Sequence, residues 1–280
     1  MKNKDFCFCT LAISKKYRQY AKKLAKDLEI YSVGIPFIVL TDNPSDFEGY
    51  TNVIAFKHKP ESVYIYHDKR VCLEKGLREY NSVVFLDADV RILNKIPLMS
   101  FEPGVTALIC YSLSKKSLSN PRKLLIKRLA QKKRIDINNN TKYLNEAIFA
   151  VTKDNGKEKE FLKLWSQMAN YLELRRFGIG EGITIGLAAS KAGLKIHFRS
   201  KKNFEQIKYF KDRHVMYELS KVKKISEEKM KLYKEHRKIE YPQLNLPIRF
   251  FNKVKKELCI SYRYARLILR TLKDFDLYYK

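Results

Sequence analysis

Short, unbroken apolar runs alternate along the chain with segments whose apolar residues recur every three or four positions. Phe6 to Ile13 is apolar and β-prone, and Tyr17, Tyr20, Ala21, Leu24 and Leu28 follow at helical spacing. Ile35 to Thr41 (IPFIVLT) is closed by Asp42, Asn43 and Pro44, as for a buried strand running into a turn. A helical segment from about Tyr66 to Tyr80 leads into Ser82–Leu86 (SVVFL), which stops at Asp87. Strands and helices alternating at this spacing predict βαβ units and a mainly parallel sheet. In such sheets the ligand crevice lies beyond the carboxyl ends of the strands. Asp42 and Asp87 stand at two of those ends.

Val105 to Tyr111 and Asn145 to Thr152 read as further strands. The helix after them carries Phe161, Trp165, Met168 and Leu172 on one face, a stripe suited to core packing. A second helix, from about Glu181 to Ala192, is rich in small residues and is capped by Gly193. Lys195 to Phe198 is a short last strand. Beyond about residue 215, Lys, Arg and Tyr interleave with Leu and Ile, and PQLNLP at 242–247 is a break. Val254 to Leu272 places Leu258, Tyr262, Ala265, Leu269 and Leu272 on one helical face with cations around them. Such a helix either lies on an anionic membrane or packs back on its own domain.

Charge sharpens this picture. The 280 residues include 57 Lys+Arg against 30 Asp+Glu, a net charge of +27, yet 45% are hydrophobic, enough for a full-sized core. The imbalance therefore speaks to partners and not to disorder. Nine cations lie between Lys115 and Arg134, with no acid between Pro103 and Ile135. Cysteines at 7, 9, 72, 110 and 259 form no CxxC pair, which points to a reducing compartment and away from disulfides or structural zinc. The N-terminal apolar run is short and ends in charge, so it reads as a first strand, not a signal peptide. No apolar run reaches the length of about 18 residues a transmembrane helix needs. The expected location is cytoplasmic, or peripheral on the inner face of a membrane.

The chemistry centres on Asp87, Ala88 and Asp89. Two carboxylates flanking one residue at a strand end can both reach a hard divalent cation, and oxygen ligands with open positions suit Mg²⁺ or Mn²⁺ on a diphosphate. Three other readings compete. The string DADV fits the first motif of haloacid-dehalogenase-type phosphatases, but that motif belongs on the first strand and needs a later acidic pair; here two strands precede it and no Asp-Asp pair follows. A charge of +27 would serve nucleic-acid binding, but no helix-turn-helix, RRM, KH or zinc pattern is present, and no nucleic acid is expected as a partner. In the third, Asp87 and Asp89 simply cap a turn or pair with nearby lysines.

With these residues in hand, the chain resembles the metal-dependent GT-A glycosyltransferases, and among them the glycogenin-like retaining families (glycosyltransferase family 8-type). The likeness covers about residues 5 to 215. It is carried by the two N-terminal strands, by HDKRVCLEKGL feeding VVFLDADVRILNKIPLM, by YLNEAIFAV, and by GIGEGITIGLAA. It implies an α/β GT-A (Rossmann-like) fold with a mixed, mainly parallel sheet flanked by helices. The catalytic domain would span 1–214, with a nucleotide-binding part at about 1–112 and an acceptor part at about 113–214. A basic helical C-terminal extension would span 215–280.

The resemblance also implies roles. Asp87 and Asp89 would ligate Mn²⁺ or Mg²⁺, with His214 as third ligand; His197 has the better local likeness but the poorer topological position. Thr10, Leu11, Ala12, Asp42 and Ala88 would contact a UDP-sugar donor, and Lys69 or Arg70 its diphosphate. Asn145 would hydrogen-bond the transferred sugar, and Glu181 would stand on the far side of the site. Two departures are visible: Glu146 and Ala147 follow Asn145 where the family has Ala-Gly or Ser-Gly, and the family's HFxGxxKPW segment has no counterpart. The implied partners are a nucleotide-sugar donor and a glycan or glycolipid acceptor, and the basic stretches at 115–134 and in the C-terminal extension add an anionic membrane surface.

Overall fold

The computed structural model describes residues 5–97, 99–115, 119–137, 141–178, 181–198, 207–212, 216–218, 221, 225–243 and 245–280. In chain order its regular elements are β1 (Phe6–Ala12), α1 (Lys15–Tyr31), β2 (Phe37–Thr41), β3 (Val53–Lys57), α2 (Lys69–Glu79), β4 (Ser82–Leu86), β5 (Arg91–Ile92), β6 (Gly104–Ala107) and β7 (Cys110–Ser112). These are followed by α3 (Asn120–Lys132), β8 (Lys142–Leu144), β9 (Ile148–Thr152), α4 (Lys157–Leu174), α5 (Glu181–Ala192), β10 (Ile196–Phe198), β11 (Tyr209–Phe210), α6 (Glu227–Glu240), α7 (Leu246–Thr271) and α8 (Phe275–Tyr278).

Seven strands form the main sheet in the order β10-β6-β9-β4-β1-β2-β3. All neighbours pair in parallel except β9, which runs antiparallel between β4 and β6. This is the expected α/β architecture: a mixed, mainly parallel sheet flanked by helices. β2 and β4 are buried at every position and β1 at all but Leu11, as strands covered on both faces must be. Alternation then divides two cores. Phe6, Phe8, Val84 and Leu86 pack with Tyr20, Leu24 and Leu28 of α1. Cys7, Cys9, Val83 and Phe85 pack on the other face with Leu73, Trp165 and Leu187 of α2, α4 and α5. The cysteines are free thiols, and Cys7 and Cys9 act as small apolar residues in the second core.

Two expected strands are each divided. Val105 to Tyr111 becomes β6 and β7, and Asn145 to Thr152 becomes the strand β9 preceded by a turn at 145–147. In that turn Asn145 Oδ1 accepts from the Ala147 amide at 3.1 Å, which ends the extended run. Because β9 is antiparallel to β4, with Leu86 opposite Ile148, its entry turn lies beside the carboxyl end of β4. The Asp87 amide donates to Ala147 O at 2.9 Å.

α5 lies close on β8 through two glycines. A Cβ on Gly186 would stand 1.7 Å from Lys142 O, and one on Gly182 would stand 2.1 Å from Leu144 O. We therefore expect Gly186→Ala to push α5 off β8 and to destabilise the fold by about 3 kcal/mol in urea unfolding. The helix fixes Glu181, so the change would disturb the cavity described below as well.

α6 packs on α1, where His236 stacks on Tyr20 with ring centroids 4.5 Å apart. α7 is anchored on α4 by its C-terminal half. Leu267 is buried there, Tyr264 Oη donates to Leu174 O at 2.7 Å, and Arg270 Nη2 donates to Asn170 Oδ1 at 2.8 Å. The stripe read from the sequence is not the packed face: Leu258, Tyr262, Ala265, Leu269 and Leu272 are all exposed. Apart from Tyr262, whose ring lies under Lys59 Nζ at 5.9 Å, that stripe does not pack back on its own domain.

Candidate active site

A cavity of roughly 500 Å³ opens at the carboxyl edge of the sheet. Leu11 and Ile13 from β1 and its end, Phe85 from β4, and Asp87, Ala88 and Asp89 just beyond β4 line it. Lys69 enters from the start of α2 and Glu181 from the start of α5. Tyr64 and Tyr66 stack on one another along one wall, with centroids 5.7 Å apart, and Lys256, Ile260 and Arg263 of α7 complete it. These elements converge because adjacent parallel strands end together while α2 and α5 begin there.

The charges form a connected set. Lys69 Nζ lies 2.7 Å from Asp87 Oδ1 and 2.5 Å from Glu181 Oε1, and it donates to Glu146 O at 3.1 Å. Lys211 Nζ lies 2.5 Å from Asp87 Oδ2 and 3.2 Å from Asp89 Oδ1. Burial alone would raise the Asp87 pKa, but these two ammonium groups hold it down at about 2. Burial pushes Glu181 up to about 7, with the nearby Glu146 and Asp87 adding to the rise and Lys69 working against it. Burial also raises Asp89 above its ordinary range. The pairing of the D-x-D with lysines, one of the sequence alternatives, is thus realised, and it coexists with a cavity and a further acidic cluster.

That cluster joins Asp89 to Asp212 and His236, whose candidate ligand atoms lie within 4.8 Å of one another. His236 is buried, and its Nε2 has no hydrogen-bond partner. Burial lowers its pKa and so favours the neutral imidazole, whose Nδ1 lies 3.4 Å from Tyr20 Oη and 3.8 Å from Asp212 Oδ2. Two carboxylates and such an imidazole fit a divalent cation, and a mixed N/O set suits Mn²⁺ better than the oxygen-seeking Mg²⁺.

The structure sorts the residues singled out in the sequence. Leu11, Lys69, Asp87, Ala88, Asp89 and Glu181 meet in the one cavity. Thr10 and Ala12 are fully buried in the sheet, and the Thr10 hydroxyl donates to Leu86 O at 2.7 Å, a tie between β1 and β4. Asp42 Oδ1 accepts from the Ser14 amide and from Arg18 Nη1 and so closes a turn outside the cavity. Arg70 points to the other side of α2, onto Glu61 Oε2 at 2.8 Å. That is one residue's rotation, about 100°, from Lys69. The Asn145 side chain is taken up by its own turn. His197 stands at the β10 edge between Glu102 and Pro103 O, away from the cavity. His214 lies outside the described residues.

The sequence reading missed Lys211, Asp212 and His236. A signal for the last existed: His236 interrupts the stripe Leu232, His236, Ile239 at helical spacing, a buried position for a titratable ring. It also missed two carboxylates that shape the cavity wall. Asp68 accepts from His58 Nε2 and from the Glu61 and Ser62 amides. Glu173 accepts from the Val63 and Tyr64 amides.

Glu173 carries a pH prediction. Burial pushes its pKa up from 4.5 to about 7, despite those two amides. Between these values the unfolded chain has lost a proton that the folded chain keeps, so this group's contribution falls as pH rises toward 7 and is flat above. The full cost is on the order of 3 kcal/mol. His67, buried and pushed down to about 3, acts in the opposite direction over much of the same range. The test is therefore a difference: relative to wild type, Glu173→Gln should gain stability in urea unfolding between pH about 5 and about 8.

No family model matches this chain, and no curated protein matches it. Among solved structures, it is similar to the galactosyltransferase LgtC in complex with donor and acceptor sugar analogues, at 14% sequence identity and a TM-score of 0.46, over 68% of this chain and 72% of that one.

Proposed function

We propose that this chain is a GT-A-type glycosyltransferase that moves a sugar from a nucleoside diphosphate donor, UDP-linked, to a saccharide or lipid-linked glycan acceptor, with retention of configuration. One observation carries the reading above all. The D-x-D at the end of β4 lines the cavity, and its second carboxylate, Asp89, also joins Asp212 and a buried His236 whose Nε2 has no hydrogen-bond partner. The phosphatase reading loses ground, because the motif follows the fourth strand in the chain.

Mn²⁺ held by Asp89, Asp212 and His236 would supply Lewis-acid neutralisation of the departing diphosphate. The rest of the work falls to the chain. Lys256 and Arg263 bring positive charge to the cavity wall, where diphosphate oxygens can meet it. Lys211 sits between Asp87 and Asp89 and keeps both carboxylates from repelling an incoming anion. Lys69 fixes Glu181 across the cavity from Asp87. With a pKa near 7, Glu181 can accept from or donate to a sugar hydroxyl. The apolar side of the cavity, with Tyr64, Tyr66, Ile13 and Leu11, gives a base and ribose a surface to pack on.

The test is release of nucleoside diphosphate from a panel of UDP-sugars with Mn²⁺ and with a chelator. Release that requires Mn²⁺ and prefers one donor is expected. Absence of release with every donor would overturn the proposal.

A further inference from the structure

α7 is 26 residues long, about 39 Å, yet only its C-terminal half packs on the body. Leu246 to Cys259 are exposed on every side. Along the outer face Phe251, Leu258, Tyr262 and Leu269 are 66%, 65%, 56% and 68% exposed, joined by Val254 and Leu272. A contiguous apolar stripe of this length is uncommon on a soluble surface unless something covers it. The helix carries seven Lys/Arg and one acid, Glu257, with Lys255 and Arg266 flanking the stripe.

These features select the occupant. Two copies meeting stripe to stripe would bring both cation sets together, so a second copy of this chain is disfavoured by charge. The stripe is a straight ridge, not a groove, and cations border it. A flat anionic surface with an apolar interior, a lipid bilayer, matches both properties. The opposite side of the same helix bears Lys256, Ile260 and Arg263, which line the cavity.

We propose that α7 docks this protein peripherally on an anionic lipid bilayer, with its apolar stripe among the acyl chains and the cavity mouth held at headgroup level. On the sugar-transfer reading above, on which this last step alone rests, the acceptor is then one carried by a lipid.

The experiment is co-sedimentation of the full chain with phosphatidylcholine vesicles and with mixed phosphatidylglycerol–phosphatidylcholine vesicles, together with the oligomeric state in solution. Binding is expected to the mixed vesicles only. The double substitution Phe251→Ser and Leu258→Ser should weaken it by about tenfold or more. Both side chains are exposed, so the thermal midpoint and the lipid-free release of UDP from donor should not change. Absence of binding to the mixed vesicles would overturn the proposal. So would undiminished binding by the double variant, which would leave general surface charge as the cause, or a wild-type dimer that the substitutions split, which would assign the stripe to a second copy. Vesicle binding with no turnover of any donor would remove the sugar-transfer reading and leave the docking intact. Turnover without vesicle binding would do the reverse.

Discussion

Asp89→Asn protein should release nucleoside diphosphate from its donor at least about a hundredfold more slowly than wild type, with little change in stability. Asp89 is the carboxylate common to the D-x-D and to the cluster with Asp212 and His236. Asparagine keeps its size and one acceptor oxygen but removes the negative charge that a divalent cation needs. Its burial already costs the ionised form, as the raised pKa shows, so the amide relieves a folding cost while removing a ligand. Stability and activity should therefore part company, which separates a ligand from a structural residue. An Asp89→Asn protein with full, Mn²⁺-dependent release would show that the D-x-D does not hold the metal.

Lys69→Met should be the most damaging single change to stability in the site. The ammonium is buried and serves Asp87 and Glu181 at once, and removing one member of a buried ionic set costs about 3–5 kcal/mol. Lys211 remains to hold Asp87, so the loss falls mainly on Glu181. Its pKa, already near 7, should rise further, and the carboxyl should take up a proton. The damage in urea unfolding should accordingly shrink as pH is lowered, and adding Glu181→Gln to Lys69→Met should restore much of the loss. Glu181→Gln alone should cost little, since it leaves Lys69 paired with Asp87. Equal losses in the single and double variants would show that the two groups do not act as a pair.

The sheet was largely legible because its strands are covered on both faces and so read as unbroken apolar runs. SVVFL followed by Asp87 marks both the strand and the place where chemistry begins. The same pattern hid the antiparallel sense of β9, since a strand buried on both faces carries no sign of direction. At the site, residues on one element were readable and residues brought from afar were not. Asp87 and Asp89 announce themselves by spacing. Lys211 and Asp212 join them through the pairing of β11 with β5, and His236 through the packing of α6 on α1, 216 residues apart at the Tyr20–His236 contact. Lys69 and Arg70 looked equivalent in sequence, and helix geometry alone sends one into the cavity and the other to Glu61. Asp42 illustrates the opposite outcome: a carboxylate at a strand end, at the right edge of the sheet, that is already spent on Ser14 and Arg18.

The central claim is that Asp89, Asp212 and His236 hold a metal that grips a nucleoside diphosphate. Calorimetric titration of UDP into the protein tests it most directly, with Mn²⁺ and then with a chelator, for wild type and His236→Ala. UDP should bind wild type only when Mn²⁺ is present, and His236→Ala should weaken that binding by about tenfold or more. UDP binding of equal strength in the chelator, or undiminished Mn²⁺-dependent binding by His236→Ala, would contradict it.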